Sequence, residues 1–183
     1  MKSEFQLLNK NHLGLAWAFR VNPDACGNNR HYENYIKFVA LNDKSEGRGT
    51  THIFIRTCEH GKKILGYITF KATALIKHNE DTVFGDPALE IAELAVSADE
   101  EHRGIGTLLV QFAFTVAADL NYYHLGIRYI TLCADAMAAP FYQRFGFERI
   151  DKFYEVPREG WNINCVPMFI RLPGLPPDPP KKD

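Results

Sequence analysis

The sequence lacks an excess of charge of either sign, and this absence limits what the protein can bind. It carries 21 basic and 22 acidic residues among 183, which gives a formal net charge of −1. A general electrostatic surface for nucleic acid or for anionic lipid needs a marked basic excess. We therefore expect no membrane partner. Nucleic acid is disfavoured as well, although a local basic patch could survive the overall balance.

Signals for export, metal binding and nucleophilic catalysis are also missing. Residues 1–5 are polar with no apolar run after them, and no segment approaches a membrane-spanning length free of polar residues. The four cysteines form no CxxC pair, and the seven histidines show no metal-ligand spacing. No Ser-His-Asp or P-loop pattern is present. These absences predict a cytoplasmic protein with reduced thiols and no bound metal.

The pattern of apolar residues predicts alternating strands and helices. We expect strands near residues 4–10, 51–58, 64–76, 89–96, 128–134, 148–154 and 166–172, and helices over 30–41, 106–125 and 136–145. A turn is expected at 22–24, a hairpin turn at 59–62, and loops at 42–49 and 78–87. This order predicts an α/β fold with a mixed sheet flanked by helices. One domain over 1–172 is expected, followed by a Pro-rich, disordered tail over 173–183.

A strand, a polar turn and a glycine pair lie in sequence between Leu89 and Val110. The run LEIAELAV is apolar enough for a buried strand, SADEEHR cannot continue it, and Gly104 and Gly106 open a long apolar helix. Glycine lets the backbone approach a ligand, and the free amides of a first helical turn attract phosphate. The arrangement predicts a phosphate cradle, and a simple tight turn is the alternative.

Two segments resemble motifs of the GNAT superfamily of acetyl-CoA-dependent N-acetyltransferases. ELAVSADEEHRGIGTLLV is similar to motif A, with Glu101 at a position where the family prefers Gln or Arg. We expect this carboxylate to turn toward solvent, away from a diphosphate. ADAMAAPFYQRFGF is similar to motif B, with Asp135 where Asn is common. The two motifs stand in the family order and cover about a third of the chain.

The resemblance implies a GNAT fold, with acetyl-CoA lying between the fourth and fifth strands where they splay apart. It implies that the Leu94 amide holds the thioester carbonyl and that Tyr142 protonates the leaving thiolate. The implied cofactor-binding residues are Leu94, Ala95, Val96, His102, Arg103, Gly104, Ile105, Gly106, Thr107 and Tyr142. A core tyrosine without a catalytic role remains the alternative for Tyr142.

Two acidic residues in the central strand are candidates for the general base. Glu90 corresponds by its offset from Val96 to the glutamate that the histone-acetylating branch of the family uses, and it shares strand parity with Leu94. Glu93 is the second candidate, on the opposite face unless a bulge intervenes. A carboxylate in a buried strand is costly unless it is solvated or paired, so a structural role is equally open.

The pKa of the acceptor amine decides how much the reaction needs a general base. A lysine amine is neutral in only about one molecule in 2,500 at pH 7, whereas an α-amino group is neutral in roughly one in ten. The resemblance thus implies acetyl transfer to a primary amine of an unidentified acceptor.

Cys26-Gly27 and the aromatic-rich run from Tyr35 to Ala40 also resemble the toxin-like GNAT branch, some members of which acetylate aminoacyl-tRNA. A catalytically silent acyl-CoA-binding module is the alternative outside enzymes.

The helix predicted over 106–125 is apolar on all sides, with Asp119 as its one charged residue between Thr107 and Ile127. Such helices are usually buried within the monomer. Contact with a second subunit is the alternative, so we predict that the chain could form a homodimer through this helix or a terminal strand.

Overall fold

The structure is a computed structural model that describes residues 2–24, 29–59, 61–79, 82–150, 154–155 and 165–173. The described strands form one mixed sheet in the order β1-β2-β3-β4-β5-β8-β6, with the short β7 paired to β3. Their bounds are β1 Lys2–Leu7, β2 Thr50–Cys58, β3 Gly61–Asn79, β4 Thr82–Val96, β5 Tyr129–Asp135, β6 Glu148–Arg149, β7 Tyr154–Glu155 and β8 Cys165–Arg171.

Helices cover both faces of this sheet. A 3₁₀ turn, Lys10–His12, leads into α1 (Leu13–Ala18), and α2 (Asn29–Asn34) continues through a π-helical turn, Tyr35–Val39, into α3 (Ala40–Ser45). The long α4 (Ile105–Asp119) ends in a π-helical turn, Leu120–His124, and α5 (Ala139–Gln143) follows β5. The predicted mixed α/β fold is confirmed.

Strand alternation sends apolar side chains to two separate cores. On one face Ile68 and Phe70 of β3 pack with Leu109 of α4. On the other face Ile53 of β2 and Tyr67 of β3 pack against the helices α1 to α3. Successive residues of a strand point to opposite faces, so an apolar strand such as β3 needs both helical layers.

The predicted splay between the fourth and fifth strands is present. Strands β4 and β5 are parallel neighbours, but their pairing covers only Ala88–Ile91 against Tyr129–Leu132. Beyond Ile91, β4 continues for five residues to Val96 while paired to β3 alone. The sheet therefore opens at the carboxyl ends of these two strands, where parallel sheets commonly bind ligands.

Several boundary predictions were wrong. The expected loop at 78–87 is instead the end of a hairpin, because main-chain pairing of β3 with β4 extends to Asn79 and Thr82 despite their polarity. The helix expected to stop at Leu41 runs to Ser45. The strand expected over 148–154 is divided, since β6 pairs with β8 and β7 with β3. Residues Cys26, Gly27 and His60 and the tail from 174 lie outside the described residues.

The first helix had no counterpart among the predictions. The 3₁₀ turn Lys10–His12 that leads into α1 begins with a capping box in an unusual form: the Asn9 side chain accepts from the Asn11 amide at 2.9 Å, and His12 Nδ1 accepts from the Asn9 amide at 3.2 Å. Glu or Gln usually makes the second bond. A histidine in that place hides the pattern from a reading of the sequence.

The expectation of reduced thiols is also wrong for one pair of cysteines. Cys133 of β5 and Cys165 of β8 form a disulfide, with their Cα atoms 5.5 Å apart. The two residues lie at the end of the antiparallel β5–β8 ladder, where Cys133 is opposite Pro167 and Cys165 is opposite Asp135. Their proximity depends on strand register, which spacing along the chain does not reveal. Cys58 is a free, exposed thiol.

Helix α4 is buried on one face rather than on several. Its buried residues are Ile105, Leu109, Val110, Ala113 and Ala117. Leu108 is 41% exposed on the outward side. By length and composition alone, the helical segment Ile105–His124 could cross a membrane, a test that core helices of soluble proteins also pass.

Gly66 lets α4 pack closely on the sheet. A Cβ atom at this position would lie 2.9 Å from the carbonyl oxygen of Ala95 and 3.1 Å from side-chain atoms of Ile105 and Leu109. These distances are shorter than van der Waals contact, so even one methyl group would push the helix away from the strands.

We predict that Gly66→Ala lowers the free energy of unfolding by about 1–3 kcal/mol, the usual cost of overpacking a core. Chemical denaturation would measure the change. Gly14→Ala is the control, because no atom lies within 4 Å of a Cβ built there. A Gly66→Ala protein as stable as the wild type would contradict this description of the packing.

Candidate active site

A cavity of about 770 Å³ occupies the opening between β4 and β5. Its walls include Leu94 and Val96 of β4, Leu132 and Ala134 of β5, and Tyr142 of α5. The residues of the predicted phosphate turn, Glu100 to Thr107 except Arg103, lie at one end. The structure thus brings together residues from both sequence motifs. A space of this size suits a cofactor with a long flexible arm.

The phosphate turn presents main-chain amides at the N-terminus of α4. Gly104 has φ of 80°, and His102 has φ of 59°, the left-handed region that favours glycine. No side chain caps the helix, and the amide of Leu108 makes the first bond back to the Gly104 carbonyl, at 3.0 Å. The amides of Ile105, Gly106 and Thr107 therefore precede the first helical hydrogen bond and can bind an anion.

A buried ion pair between Glu100 and Arg56 of β2 fixes this turn. The Glu100 side chain is 4% exposed, and its two oxygens accept bonds from Arg56 of β2 at 2.8 and 3.1 Å. Lys63 of β3 lies 3.4 Å away, and Arg103 3.6 Å. Burial alone would raise the pKa of Glu100, but these cations more than offset it and the pKa lies below its ordinary value. Sequence reasoning missed this role, because Arg56 is 44 residues away.

Glu101 does not turn to solvent as expected. Asn22 donates from Nδ2 to Glu101 Oε2 at 2.8 Å, and both residues line the cavity. The same Asn22 side chain accepts from the amide of Asp24 at 3.1 Å, within the turn predicted at 22–24. The amide group thus satisfies a carboxylate that would otherwise face the phosphate end of the cavity unpaired.

A β-bulge at Ala92 changes which residues of β4 share a face. Thr69 pairs with Glu93 and Phe70 with Ile91, so Ala92 has no partner in the register. Leu89 and Ile91 before the bulge, and Leu94 after it, pack on the α4 side. Both candidate bases therefore face the opposite side of the sheet. The expectation that Glu90 shares a face with Leu94 is wrong, because one extra residue inverts the alternation.

The two carboxylates differ in their position along the opening. Glu90 is aligned with Thr131 inside the paired part of β4 and β5, whereas Glu93 lies beyond the last pair. Glu93 Oε1 is 2.8 Å from His31 Nε2 of α2, and the Glu93 side chain is 14% exposed. Sequence reasoning did not point to His31, since no local pattern brings α2 against β4.

Tyr142 is buried at the wall of the cavity. It is 8% exposed, and its ring packs edge-on against Phe141 and Phe147 at centroid distances of 5.0 and 5.8 Å. Burial raises the pKa of the phenol well above its ordinary value, and the nearby carboxylates of Glu93 and Asp135 add to this effect. The hydroxyl is therefore protonated at neutral pH.

Comparisons with known proteins agree with this geometry. Residues 48–149 match the family model of the acetyltransferase (GNAT) domain. The comparison with curated proteins found no match.

Several solved structures share the fold over nearly the whole chain. A Tyr-to-Phe mutant of the toxin AtaT, bound to the C-terminus of the antitoxin AtaR and to acetyl-CoA, has a TM-score of 0.64 at 16% identity, with 94% of each chain covered. A Tyr-to-Phe mutant of KacT gives 0.71 at 14%, covering 94% of this chain and 96% of that one. AtaT complexed with acetyl-methionyl-tRNAfMet gives 0.71 at 16%, covering 93% and 95%.

We predict that Glu100→Gln lowers the free energy of unfolding by about 3 kcal/mol at pH 7, because it leaves the Arg56 charge without its partner. A carboxylate with a lowered pKa stabilises the folded state above about pH 4.3 and loses that effect as the pH falls through its folded pKa. The difference between wild type and variant should therefore shrink in acid. Urea denaturation at several pH values would measure it.

Glu46→Gln is the matched control, since Glu46 pairs with Arg48 at 2.7 Å but is 47% exposed. An exposed pair should contribute less than about 1 kcal/mol. A Glu100→Gln difference that stays constant between neutral and acidic pH would contradict the assignment.

Proposed function

The chain belongs to the GNAT acetyltransferase family, and we propose that it moves the acetyl group of acetyl-CoA directly to a primary amine of an unidentified acceptor. Acetyl-CoA is the acyl donor of this family. The observation that carries the proposal is the cavity between β4 and β5, which joins a turn of free amides to a buried tyrosine.

The residues of the cavity can hold the cofactor largely through the main chain. We propose that the amides from His102 to Thr107 bind its pyrophosphate, with the left-handed Gly104 shaping the turn. The pantetheine arm would lie along Leu94, Ala95 and Val96 of β4, since β5 leaves that edge unpaired. One further observation fits the cofactor, because no side chain caps the helix.

We propose that the Leu94 amide donates a hydrogen bond to the thioester carbonyl and that Tyr142 protonates the departing thiolate. Transfer forms a C–N bond, breaks the C–S bond and leaves a thiolate in an apolar part of the cavity. Burial makes a thiolate a stronger base, just as it raises the pKa of the phenol. Tyr142 therefore gives its proton to the sulfur only when the thiolate has formed. The thioester is thus not cleaved before the acceptor arrives.

The base is Glu93 rather than Glu90 in this proposal. Glu93 lies beyond the last β4–β5 pair, at the open part of the sheet, whereas Glu90 lies within the paired part. The charge of Glu93 also contributes to the raised pKa of Tyr142, although Glu93 itself is not among the residues that line the cavity. Glu90 stays a candidate, because it faces the same side and is half-buried.

A second candidate acceptor is the amino group of aminoacyl-tRNA. AtaT, which shares the fold over most of both chains, is complexed with acetyl-methionyl-tRNAfMet. An α-amino group needs less help with deprotonation than a lysine, so the site could serve either. A peptide lysine, a small-amine panel and charged tRNA, assayed with a free-thiol readout, would separate these acceptors. Growth arrest on expression would favour the tRNA acceptor.

Three further expectations concern the domain boundaries, the cellular location and the oligomeric state. We propose one catalytic domain over 1–172, a cytoplasmic location, and a homodimer formed through the exposed side of α4 or a terminal strand. Tyr122, Tyr123 and Leu125 are exposed directly after α4 and add apolar surface there. A monomeric mass by light scattering would contradict the dimer.

We predict that Tyr142→Phe lowers kcat by about 10²-fold or more, the usual contribution of a general acid, and leaves the Kd for acetyl-CoA nearly unchanged. Steady-state thiol release and calorimetry would measure the two quantities. Tyr123→Phe is the control, since Tyr123 is 70% exposed. Absence of turnover in the wild type together with tight acetyl-CoA binding would favour a silent acyl-CoA-binding module instead.

We further predict that Glu93→Gln lowers kcat for a lysine acceptor more than Glu90→Gln does. The Gln substitution keeps the shape and removes the base. Both variants would be compared at several pH values with the same acceptor. A larger loss in Glu90→Gln would reverse the assignment of the base, and wild-type calorimetry without acetyl-CoA binding at millimolar ligand would overturn the proposed function.

A further inference from the structure

His31 and Glu93 form a contact between the open part of the sheet and solvent. The carboxylate is largely withdrawn from water, with 14% of its side chain exposed, whereas the imidazole is 46% exposed. Their 2.8 Å contact is a hydrogen bond between β4 and α2 across 62 residues of sequence. An imidazole in such a position can carry a proton between a buried acid and bulk water.

Packing holds the His31 ring in this orientation. The ring lies edge-on to Tyr32 with a centroid distance of 5.3 Å and tilted to Tyr35 at 6.4 Å. Tyr67 of β3 donates to the carbonyl of Tyr32 at 2.9 Å, which fixes α2 on the sheet. The bond to Glu93 is therefore supported by a rigid layer.

Burial and the neighbouring carboxylates of Asp43 and Glu93 keep the Tyr35 phenol neutral by raising its pKa. The hydroxyl of Tyr35 donates to Asp43 at 3.0 Å. Glu93 acts electrostatically on Tyr35 together with Asp43 and on Tyr142 together with Asp135, and Glu90 faces the same side of β4.

We propose that His31 is a positioning residue that orients Glu93 toward the acceptor amine and passes the amine's proton to solvent. The inference rests on the proposed acetyl transfer and names the groups that prepare its nucleophile. It adds a residue from the helical layer to a site otherwise built from β4, β5, α5 and the phosphate turn.

The proton balance of the step is complete. Glu93 takes one proton from the acceptor ammonium, and the free amine attacks the thioester carbonyl. When the C–S bond breaks, the nitrogen gives up a second proton to the same carboxylate, and Tyr142 protonates the thiolate. One of the two protons returns through water to Tyr142, and the other leaves through His31 as the net proton released.

The pair should impose a pH dependence that neither residue has alone. The bond to Glu93 raises the pKa of His31, opposed by burial. Protonated His31 cannot accept a proton from Glu93, so activity should rise as the pH passes through the raised pKa. The acidic limb of kcat/KM for the acceptor should therefore have its midpoint above the ordinary histidine value of about 6.5.

The experiment compares full-length wild type, His31→Asn and the control His124→Asn, an exposed histidine outside the cavity. We expect His31→Asn to lower kcat about 10-fold or more, to abolish this limb and to leave the KM for acetyl-CoA unchanged, while His124→Asn behaves as the wild type. A limb that persists with the same midpoint in His31→Asn would overturn the proposal.

NMR titration of the histidine ring protons supplies a readout that needs no turnover. The pKa of His31 should fall by a measurable fraction of a unit in Glu93→Gln, and an unchanged value would overturn the pairing. A wild-type protein that acetylates no amine would overturn the proposed function and the proton step with it. The titration would still decide whether Glu93 and His31 interact.

Discussion

The separation of β4 from β5 is the constraint on which the site depends. Their pairing stops at Ile91 and Leu132, and one residue later the bulge at Ala92 inverts the alternation of β4. Loss of a neighbour exposes main-chain groups along the edge of β4, which a ligand with an amide-rich arm can satisfy. The bulge then places two carboxylates on the face away from α4. The end of the pairing thus opens the cavity in which we propose that the cofactor binds, and the bulge places the two acidic residues on one face.

Rigid elements hold the parts of this channel that must not move. The turn after β4 is tied to the rest of the molecule by main-chain bonds from Ser97 to Leu65 at 2.8 Å and from Ala98 to Arg20 at 2.9 Å. The buried Glu100–Arg56 pair adds a charged anchor beneath it. Gly66 allows α4 to approach the strands closely enough for its first amides to face the cavity. The phosphate site that we propose is built from backbone and needs this preorganisation, because amides cannot adjust as side chains do.

The wall of the cavity that contains Tyr142 combines burial of this side chain with negative charge nearby. Tyr142 keeps its proton because it is desolvated and lies near Glu93 and Asp135. Across the opening, Glu93 is bonded to a histidine whose pKa it raises. The charge of Glu93 thus acts on the phenol of Tyr142 and on the imidazole of His31, and the acyl transfer that we propose uses this coupling.

Local patterns in the sequence were enough for the order of elements apart from α1, the glycine turn, the tyrosine on α5 and the family, because each depends on neighbours within about ten residues. They could not reveal the bulge, since Ala92 is unremarkable in a strand and its role depends on register with Thr69 and Phe70. They also missed the Cys133–Cys165 disulfide and the contacts of Glu100 with Arg56 and of Glu93 with His31. Those contacts join residues 32 to 62 positions apart, and only the packing of strands and helices in three dimensions brings such residues within bonding distance.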